Sequence, residues 1–414
     1  MRRAAGGTIV SVYLDHAATT PMRAEALTAY TDALRLVGNP ASIHSSGQRA
    51  KQLLEESREV IAASLGCDSI EAILTSGGTE SINLALKGLY WKRNAAGDRP
   101  VVLAPGGEHH ATIDTLEWLA AHDGADMRWM PLDADGALRP EVFEAALAEA
   151  GDRAALATVI LANNEVGTIQ PVAALSRVAA AHGVPLHVDA VAAYGHVPID
   201  VARLRAESRS AGEAGLVALS VSAHKIGGPV GVGALYLART AVIEPLLHGG
   251  GQQRQVRSGT QDVAGGIAFA AAARVATAEL DAESRRLRAL RNRLVEGVRQ
   301  RVPDAVLNGP ADDARLPGNA HFSFPGCEGD SLLFLLDMAG VAVSTGSACQ
   351  AGIPEPSHVL RAMGRSETEA RGALRITMGH TTTDADVDAF LDALPGAYRQ
   401  AAKAGFADRD VPRR

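Results

Sequence analysis

Cysteine is scarce in this 414-residue chain. Its three cysteines, Cys67, Cys327 and Cys349, lie far apart and include no C-x-x-C pair. This excludes a disulfide framework and a thiolate zinc site, and no metal site is predicted elsewhere in the chain. A chain of this length buries a large core without such cross-links. The odd number of thiols fits a reduced, cytoplasmic setting in which one of them is reactive.

The chain also lacks an excess of positive charge and a long apolar run. Its 40 Lys and Arg residues against 47 Asp and Glu residues give a formal net charge of −7. This balance argues against nucleic acid or an anionic membrane as a partner. The apolar stretch 8–14 is too short for a signal peptide, and the run 264–273 is broken by Arg274, so no transmembrane helix is predicted. The composition indicates a soluble protein of about two or three domains.

Short apolar runs alternate with amphipathic stretches from about residue 70 to residue 240. The runs lie at residues 73–74, 101–103, 156–161, 186–188 and 216–221. Buried parallel strands separated by helices produce this pattern. It predicts a large, doubly wound α/β domain with a mostly parallel sheet and a ligand crevice at the carboxyl ends of the strands.

The second half of the chain has a different pattern. Residues 230–237 alternate with glycines and predict an antiparallel strand, and a long charged helix is predicted from residue 262 to about residue 300. The shorter runs that follow predict a smaller α+β domain. We expect the large domain to span residues 16–262 and the small domain to combine residues 1–15 with 263–414. The polar stretch 205–213 predicts a surface insertion.

Several residues that can carry chemistry follow predicted strands. Residues 75–80 place two glycines at the start of a helix, which suits either a phosphate site or an ordinary capped helix. The segment lacks the lysine of a nucleoside triphosphate loop. Asp189 ends an apolar strand, where it either faces the crevice or caps a helix. Lys225 follows another strand, close to Ser222 and His224, and a lysine held in a crevice can form a Schiff base.

Cys349 differs from the other two cysteines in its surroundings. It lies in a loop of small residues, 343–352, which leaves a thiolate accessible. Cys67 and Cys327 have no such setting and are predicted to be inert core residues.

Together these segments resemble the fold-type I pyridoxal-phosphate enzymes, and specifically the NifS- and IscS-like cysteine desulfurases of the class V aminotransferase family. The resemblance covers nearly the whole chain. Its motifs lie, in the family's order, at residues 13–21, 38–42, 108–109, 163–167, 222–225, 249–252, 257–260, 343–352 and 374–376.

The resemblance implies a role for each matching residue. Lys225 would bind pyridoxal 5′-phosphate as a Schiff base, Asp189 would pair with the pyridine nitrogen, and His109 would stack on the ring and shuttle protons. The phosphate would be bound by Gly78, Thr79, Ser222 and His224, and by Thr260 from the second subunit. The substrate would contact Arg375 through its carboxylate, together with Asn164 and Asn39, and Asn164 would also reach the ring oxygen.

The implied reaction converts L-cysteine to L-alanine and leaves the sulfur as a persulfide on Cys349. The implied partners are a second copy of the chain and a sulfur acceptor, such as an iron–sulfur scaffold or a tRNA-thiolation enzyme. A selenocysteine lyase or a related lyase is the alternative among the enzymes, and a sulfur-relay scaffold is the alternative without catalysis. Because a lyase needs no thiol in that loop, Cys349 favours the desulfurase.

Position 192 departs from the family pattern. Relatives carry a glutamine three residues after the aspartate, where it bonds the ring hydroxyl oxygen, and this chain has Ala192. The lost hydrogen bond is worth about 1 kcal/mol, so we expect lower efficiency. Ala223, in place of a glycine, and residues 350–352, in place of a Ser/Thr-rich run, are further differences, and the second bears on the choice of acceptor.

Overall fold

The computed structural model describes residues 12–346 and 356–407. The strands of this part of the chain are β1 (Val12–Tyr13), β2 (Ala72–Thr75), β3 (Val101–Pro105), β4 (Asp126–Met130), β5 (Ala154–Ile160), β6 (Pro185–Asp189), β7 (Gly215–Ser222), β8 (Gly233–Leu237), β9 (Val306–Leu307), β10 (Asn319–Ser323), β11 (Val341–Ala342) and β12 (Ala373–Thr377). The helices are α1 (Ala24–Ala33), α2 (Ser45–Leu65), α3 (Gly78–Arg93), α4 (His110–Asp123), α5 (Pro140–Ala150), α6 (Val172–Ala181), α7 (Val201–Ser208), α8 (Val263–Arg301), α9 (Gly329–Met338), α10 (His358–Ala362), α11 (Glu367–Arg371) and α12 (Asp384–Ala407).

A seven-stranded sheet with the order β2-β8-β7-β6-β5-β3-β4 forms the centre of the molecule. Strands β3 to β7 are parallel to one another, and β8 is antiparallel to β7. The α/β class and the antiparallel strand near residue 235 are therefore confirmed. The strands are buried because helices cover the sheet, which explains their nearly continuous apolar runs.

One detail of the sequence prediction is wrong, namely the parallel pairing of the first strand. β2 pairs only with β8, and the pairing is antiparallel, although β2 points in the same direction as the parallel strands. An edge strand has one neighbour, so it can accept either sense of pairing. Residues 201–208 form α7, with Ser208 fully buried. Most of residues 205–213 are exposed, as the sequence predicts, and their being an insertion stays a prediction.

The edge strand β4 was not predicted. It carries Asp126 and Arg128, which form an ion pair at 3.0 Å, and Trp129 is 44% exposed. Charges on an edge strand discourage pairing with another chain. They also remove the continuous apolar run by which the central strands are recognised.

Beyond residue 301 the chain forms a smaller α+β layer. β10 pairs antiparallel with β12 and β9, and β1 pairs parallel with β11. One buried apolar cluster surrounds the large sheet, and a second one includes Leu14, Phe322 and Phe390.

α8 contributes to both clusters. Its Ala/Gly-rich first half buries Phe269 against the large sheet's cluster, and its second half buries Leu290 and Leu294 in the other one. By length and composition α8 is apolar enough to cross a membrane, and 44% of its most apolar window is buried. Since that half packs on α1 and α2, the packing accounts for its apolar character.

Candidate active site

A cavity of about 400 Å³, the main cavity, lies at the carboxyl ends of the parallel strands. Ligand sites of α/β sheets occupy this position. The cavity brings together most of the residues that the sequence singled out, namely Gly78, Thr79, His109, Asn164, Asp189, Ala192, His224, Lys225 and Arg375.

Lys225 lies just beyond the end of β7. Its Nζ donates hydrogen bonds to the carbonyl oxygens of Ala17 and Ala18, the second at 2.8 Å. Burial lowers the pKa of the Lys225 amine to about 8, and the positive charge of Arg375 adds to the effect. The amine therefore loses its proton much more easily than a surface lysine does, as a nucleophilic amine must.

Asp189 is the last residue of β6 and is 2% exposed. Its Oδ1 accepts a hydrogen bond from the Val191 N–H at 2.9 Å. Burial raises the pKa of Asp189 to about 6, so the carboxylate is still ionised at neutral pH. Within the described residues no Lys, Arg or His lies at ion-pair distance from it, although it lines the main cavity.

The start of α3 forms one wall of the main cavity. Gly77, with φ of 146°, precedes the helix, and a Cβ at Gly78 would lie 2.7 Å from Val191 Cγ2. Only glycine fits this close approach. The first backbone N–H groups of a helix have no intrahelical acceptor, so they attract anions. Glu80 accepts a bond from the Ser76 N–H at 2.6 Å and pairs with Arg257 at 2.8 Å, which ties the 257–260 segment to this helix start.

Two histidines flank Lys225. His109 caps α4, and its Nδ1 accepts a hydrogen bond from the Ala111 N–H at 3.0 Å. Desolvation lowers the pKa values of both His109 and His224 to about 4, with the Lys225 charge as the second cause. Both rings are neutral at pH 7. Because Nδ1 of His109 is an acceptor, its proton is on Nε2.

Arg375, in β12, reaches the main cavity from the smaller layer. Its Nη2 pairs with Asp15 Oδ1 at 2.8 Å, and its Nη1 donates to the Asn164 carbonyl oxygen at 3.1 Å. The guanidinium is 6% exposed, and its Nε has no hydrogen-bond partner among the described residues. Arg375 is thus held in place with donor capacity to spare.

Three predicted site residues do not line the main cavity. Ser222 is buried, and its Oγ is 3.8 Å from the position of a Cβ on Gly77. Asn39 and Thr260 are exposed and do not line the main cavity, and Asn39 Oδ1 accepts a bond from the Ala41 N–H. Cys349 lies outside the described residues. The predicted roles of Asn39 and Thr260 remain predictions.

The other two cysteines are placed as inert thiols. Burial raises the pKa of Cys67 to about 12 and that of Cys327 to about 11. Cys327 is 5% exposed, and Cys67 packs partly buried against the large core. Neither thiol forms a reactive thiolate near neutral pH.

Sequence reasoning missed several groups around the main cavity. Asp15 pairs with Arg375, and its motif was noted without a role. Glu108 is fully buried, accepts a bond from the Ile160 N–H at 2.8 Å, and has its pKa raised to about 8 by burial. Glu165 is 2% exposed and accepts a 2.5 Å bond from Ser357 Oγ. Both glutamates lie inside the motifs at 108–109 and 163–167, next to His109 and Asn164, and that position is the signal that could have revealed them.

Comparisons with known proteins agree with this geometry. Residues 12–390 match the family "Aminotransferase class-V". An "IscS-like cysteine desulfurase" from Mycobacterium tuberculosis is 51% identical over 396 residues, which are 95% of this chain and 98% of that protein.

Solved structures give the same result. A NifS-like protein superimposes with a TM-score of 0.84 at 33% identity. The aligned residues cover 94% of this chain and 100% of the NifS-like chain. SspA, solved in complex with cysteine, superimposes with a TM-score of 0.74 at 29% identity. The aligned residues cover 90% of this chain and 100% of the SspA chain. This chain therefore belongs to the class V aminotransferase family, among the IscS-like and NifS-like cysteine desulfurases.

Proposed function

We propose that this protein uses pyridoxal 5′-phosphate to convert L-cysteine to L-alanine and passes the sulfur to Cys349. The observation that carries the proposal is the main cavity, in which the readily deprotonated amine of Lys225, the buried carboxylate of Asp189 and the guanidinium of Arg375 face one space. An amino acid and an aldehyde cofactor need these three groups together.

The residues present fit the cofactor. Asp189 is buried without a cationic partner in the described chain, which suits a protonated ring nitrogen. Gly78 and Thr79 start α3, where backbone N–H groups suit a phosphate, and His224 lies beside them in the cavity wall. We propose that Ser222 and the partner copy's Thr260 complete the phosphate site.

When bound, the cofactor supplies an electron sink conjugated to the substrate's α-carbon. Asp189 keeps the ring nitrogen protonated by placing a negative charge next to it. His109 holds a proton on Nε2, so its neutral ring donates a hydrogen bond to a group in the cavity, and it takes up a proton only when Nδ1 gives up its bond to the Ala111 N–H. Lys225 holds the cofactor and takes up or releases a proton at Nζ.

Arg375 is the proposed binding group for the carboxylate of L-cysteine. Its Nη1 and Nη2 each use one N–H, on Asn164 and Asp15, and each has a second one, so the guanidinium offers the fork geometry that a carboxylate prefers. SspA, a structural neighbour, was solved with cysteine bound, which supports the same substrate here. Asn164 and Asn39 are the proposed additional contacts of the substrate.

Cys349 is the proposed sulfur acceptor. Its thiolate attacks the substrate sulfur, so that an S–S bond forms, the C–S bond breaks, and the electron pair of that bond remains on the substrate. Ser344 and Gly346, which precede Cys349, line the main cavity. The segment that carries the thiol therefore starts at the wall of the site.

The remaining expectations are proposals as well. We propose a cytoplasmic homodimer that delivers its persulfide to an iron–sulfur scaffold or a tRNA-thiolation enzyme. We also propose a large domain of residues 16–262 and a small domain of 1–15 with 263–414, joined by α8, which packs on both cores.

The test is alanine release from L-cysteine, with and without reductant. We expect Cys349→Ala to abolish turnover while the cofactor's absorbance persists, and Cys67→Ala, the matched control, to behave like the wild type. Turnover that survives Cys349→Ala would make the protein a lyase. A loaded wild type that releases no alanine would contradict the proposed function.

A further inference from the structure

A second, smaller space adjoins the main cavity. This side cavity has a volume of about 40 Å³ and shares Ala17, Asn164, Ala192 and Lys225 with the main cavity. One water needs roughly 10–15 Å³ on this measure, so the side cavity has room for about three waters. A buried water also needs two to four polar partners, and the lining must supply them.

Part of the polar lining already has partners. His16 bonds Thr20 through Nδ1 at 2.6 Å and Thr382 through Nε2 at 3.2 Å. The side chain of Asn319 donates to the Glu165 carbonyl oxygen. These groups give the side cavity a polar wall but offer little further bonding capacity.

Three other lining groups keep unused capacity. In the described part of the chain, the side-chain amide of Asn164 has no hydrogen-bond partner, although its carbonyl binds Arg375. Lys225 Nζ has three N–H bonds when charged and uses two of them on Ala17 and Ala18. The imidazole of His196 faces the backbone carbonyl of Lys225, and one ring nitrogen is left as an acceptor.

The local fold fixes the position of His196. It follows Gly195, which has φ of 74° and whose Cβ position would lie 2.5 Å from Ile226 Cγ2. Only glycine allows this turn to pass so close to the Lys225 segment. Burial lowers the pKa of His196, and the nearby charges are those of Glu283, Arg23 and His380, so the ring is neutral at pH 7.

Ala192 lines both cavities, as do Ala17, Asn164 and Lys225. A longer side chain at position 192 would occupy part of this shared space. The alanine at this position therefore leaves the side cavity open beside Lys225.

We propose that the side cavity is a water-binding site that serves Lys225, in which ordered water connects Nζ with His196 and Asn164. In the cofactor-free enzyme, the water accepts the third N–H of the Lys225 ammonium and donates to the acceptor nitrogen of His196 and to the amide oxygen of Asn164. His196 is then a positioning residue, which acts on Lys225 through this water. The inference rests on the proposed function only in that Lys225 carries the cofactor.

The water stabilises the charged form of the Lys225 nitrogen, because it accepts a hydrogen bond only from that nitrogen's proton. Asp15 and Asp189 favour the same form, whereas Arg375 and the burial of the amine oppose it. Removal of His196 leaves the water without an anchor. The nitrogen should then lose its proton at a lower pH.

The experiment is a double-mutant cycle on the cofactor-free enzyme, in which Lys225 is a free amine. It is read by the pH dependence of the rate at which added pyridoxal 5′-phosphate develops its bound absorbance, because only the neutral amine reacts with the aldehyde. We expect His196→Phe to lower the midpoint by about 0.5–1 pH unit, the size of one hydrogen bond. His196→Gln, which keeps an acceptor, should stay near the wild-type midpoint. In an Ala192→Leu background, where the leucine fills the side cavity, His196→Phe should have no further effect.

A high-resolution crystal structure of the cofactor-free enzyme gives the second readout and should show water between Lys225 and His196. A side cavity without water would overturn the proposal. A His196→Phe shift of the pH midpoint that is equally large in the wild-type and Ala192→Leu backgrounds would also overturn it, because it would show that His196 has only a structural role. The spectrum and the water do not depend on alanine release. A failure of the proposed function therefore remains distinguishable from a failure of this inference.

Discussion

The main cavity has two ends, the sheet end at Asp189 and the substrate end at Arg375, and they differ in whether the buried charge has an ion-pair partner. At the sheet end, Asp189 and His109 have pKa values shifted by burial, and the described residues place no ion-pair partner on Asp189. At the other end, Arg375 is nearly as buried but is paired with Asp15 at 2.8 Å. An unpaired buried charge is costly unless a ligand supplies its partner. The sheet end is therefore built for a resident group, and the Arg375 end for a substrate that comes and goes.

The largest expected effect comes from removal of the unpaired charge at the sheet end. Asp189→Asn should reduce alanine release by about 10- to 100-fold, because a charge-assisted hydrogen bond to the cofactor is lost. Steady-state kinetics and the cofactor's absorbance measure this.

Glu108→Gln is the matched control for that variant. Glu108 is buried nearby, but its pKa of about 8 keeps it mostly neutral at pH 7, and glutamine imitates the neutral acid. It should retain wild-type turnover. A Glu108→Gln variant as impaired as Asp189→Asn would show that charge at Asp189 is not the deciding feature of this end.

The substrate end should respond in KM more than in kcat. Arg375→Lys replaces a fork of donors by a point charge, and we expect the KM for L-cysteine to rise about 10-fold or more. The matched control is Arg371→Lys, because Arg371 pairs with Glu367 on the surface. If both variants keep the wild-type KM, the carboxylate binds elsewhere.

Asp15 tests whether the pairing at this end restrains the guanidinium. Asp15→Asn keeps an oxygen acceptor for Arg375 but removes the negative charge, so anions should bind more tightly and KM should fall by about 3- to 10-fold. Because Asp15 raises the pKa of Lys225, the same variant should move the pH midpoint of the cofactor's absorbance downward. An unchanged KM together with an unchanged midpoint would remove Asp15 from the site's electrostatics.

The two ends also differ in how well the sequence predicts them. Asp189 and Lys225 each follow an uninterrupted apolar run, so their place at the carboxyl ends of strands follows from local pattern. The ion pair between Asp15 and Arg375 joins residues 360 positions apart, and no periodicity reports such a contact. The side cavity next to Ala192 likewise depends on packing among β12, the 190–196 turn and the first described residues.

The family resemblance predicts two site residues that do not line the main cavity of the single chain. Thr260 and Asn39 are exposed, and neither lines the main cavity. The resemblance assigns Thr260 to the second subunit, and a contact of that kind leaves no trace in the fold of one chain. The role of Asn39 stays a prediction. The antiparallel pairing of β2 was not predicted because its neighbour β8 lies about 160 residues later in the sequence, and a local pattern does not report such a contact.

The smallest expected effect is on the free energy of unfolding of the cofactor-free protein. It tests whether Asp189 is a buried charge without a partner. The folded-state pKa of Asp189 is raised from 3.8 to about 6, so the folded protein binds more protons than the unfolded chain between these two pH values. Its ionised carboxylate therefore destabilises the fold above pH 6, and the penalty disappears as the pH falls below about 4. Cofactor-free Asp189→Asn should be more stable than the wild type by about 1–3 kcal/mol at pH 7 and equally stable near pH 4.

Chemical unfolding at the two pH values measures this difference, and Asp200→Asn is the control. Asp200 caps α7 and accepts a hydrogen bond from the Arg203 N–H at 2.9 Å, so its replacement should never stabilise the protein. The neutral histidines at the sheet end weaken both proteins together as the pH falls from 6.5 to 4, because their folded-state pKa values are lowered, and they cancel in the difference. An Asp189→Asn protein that is less stable than the wild type at pH 7 would mean that the carboxylate is already satisfied by the chain, and the sheet end would then not be built around a missing partner.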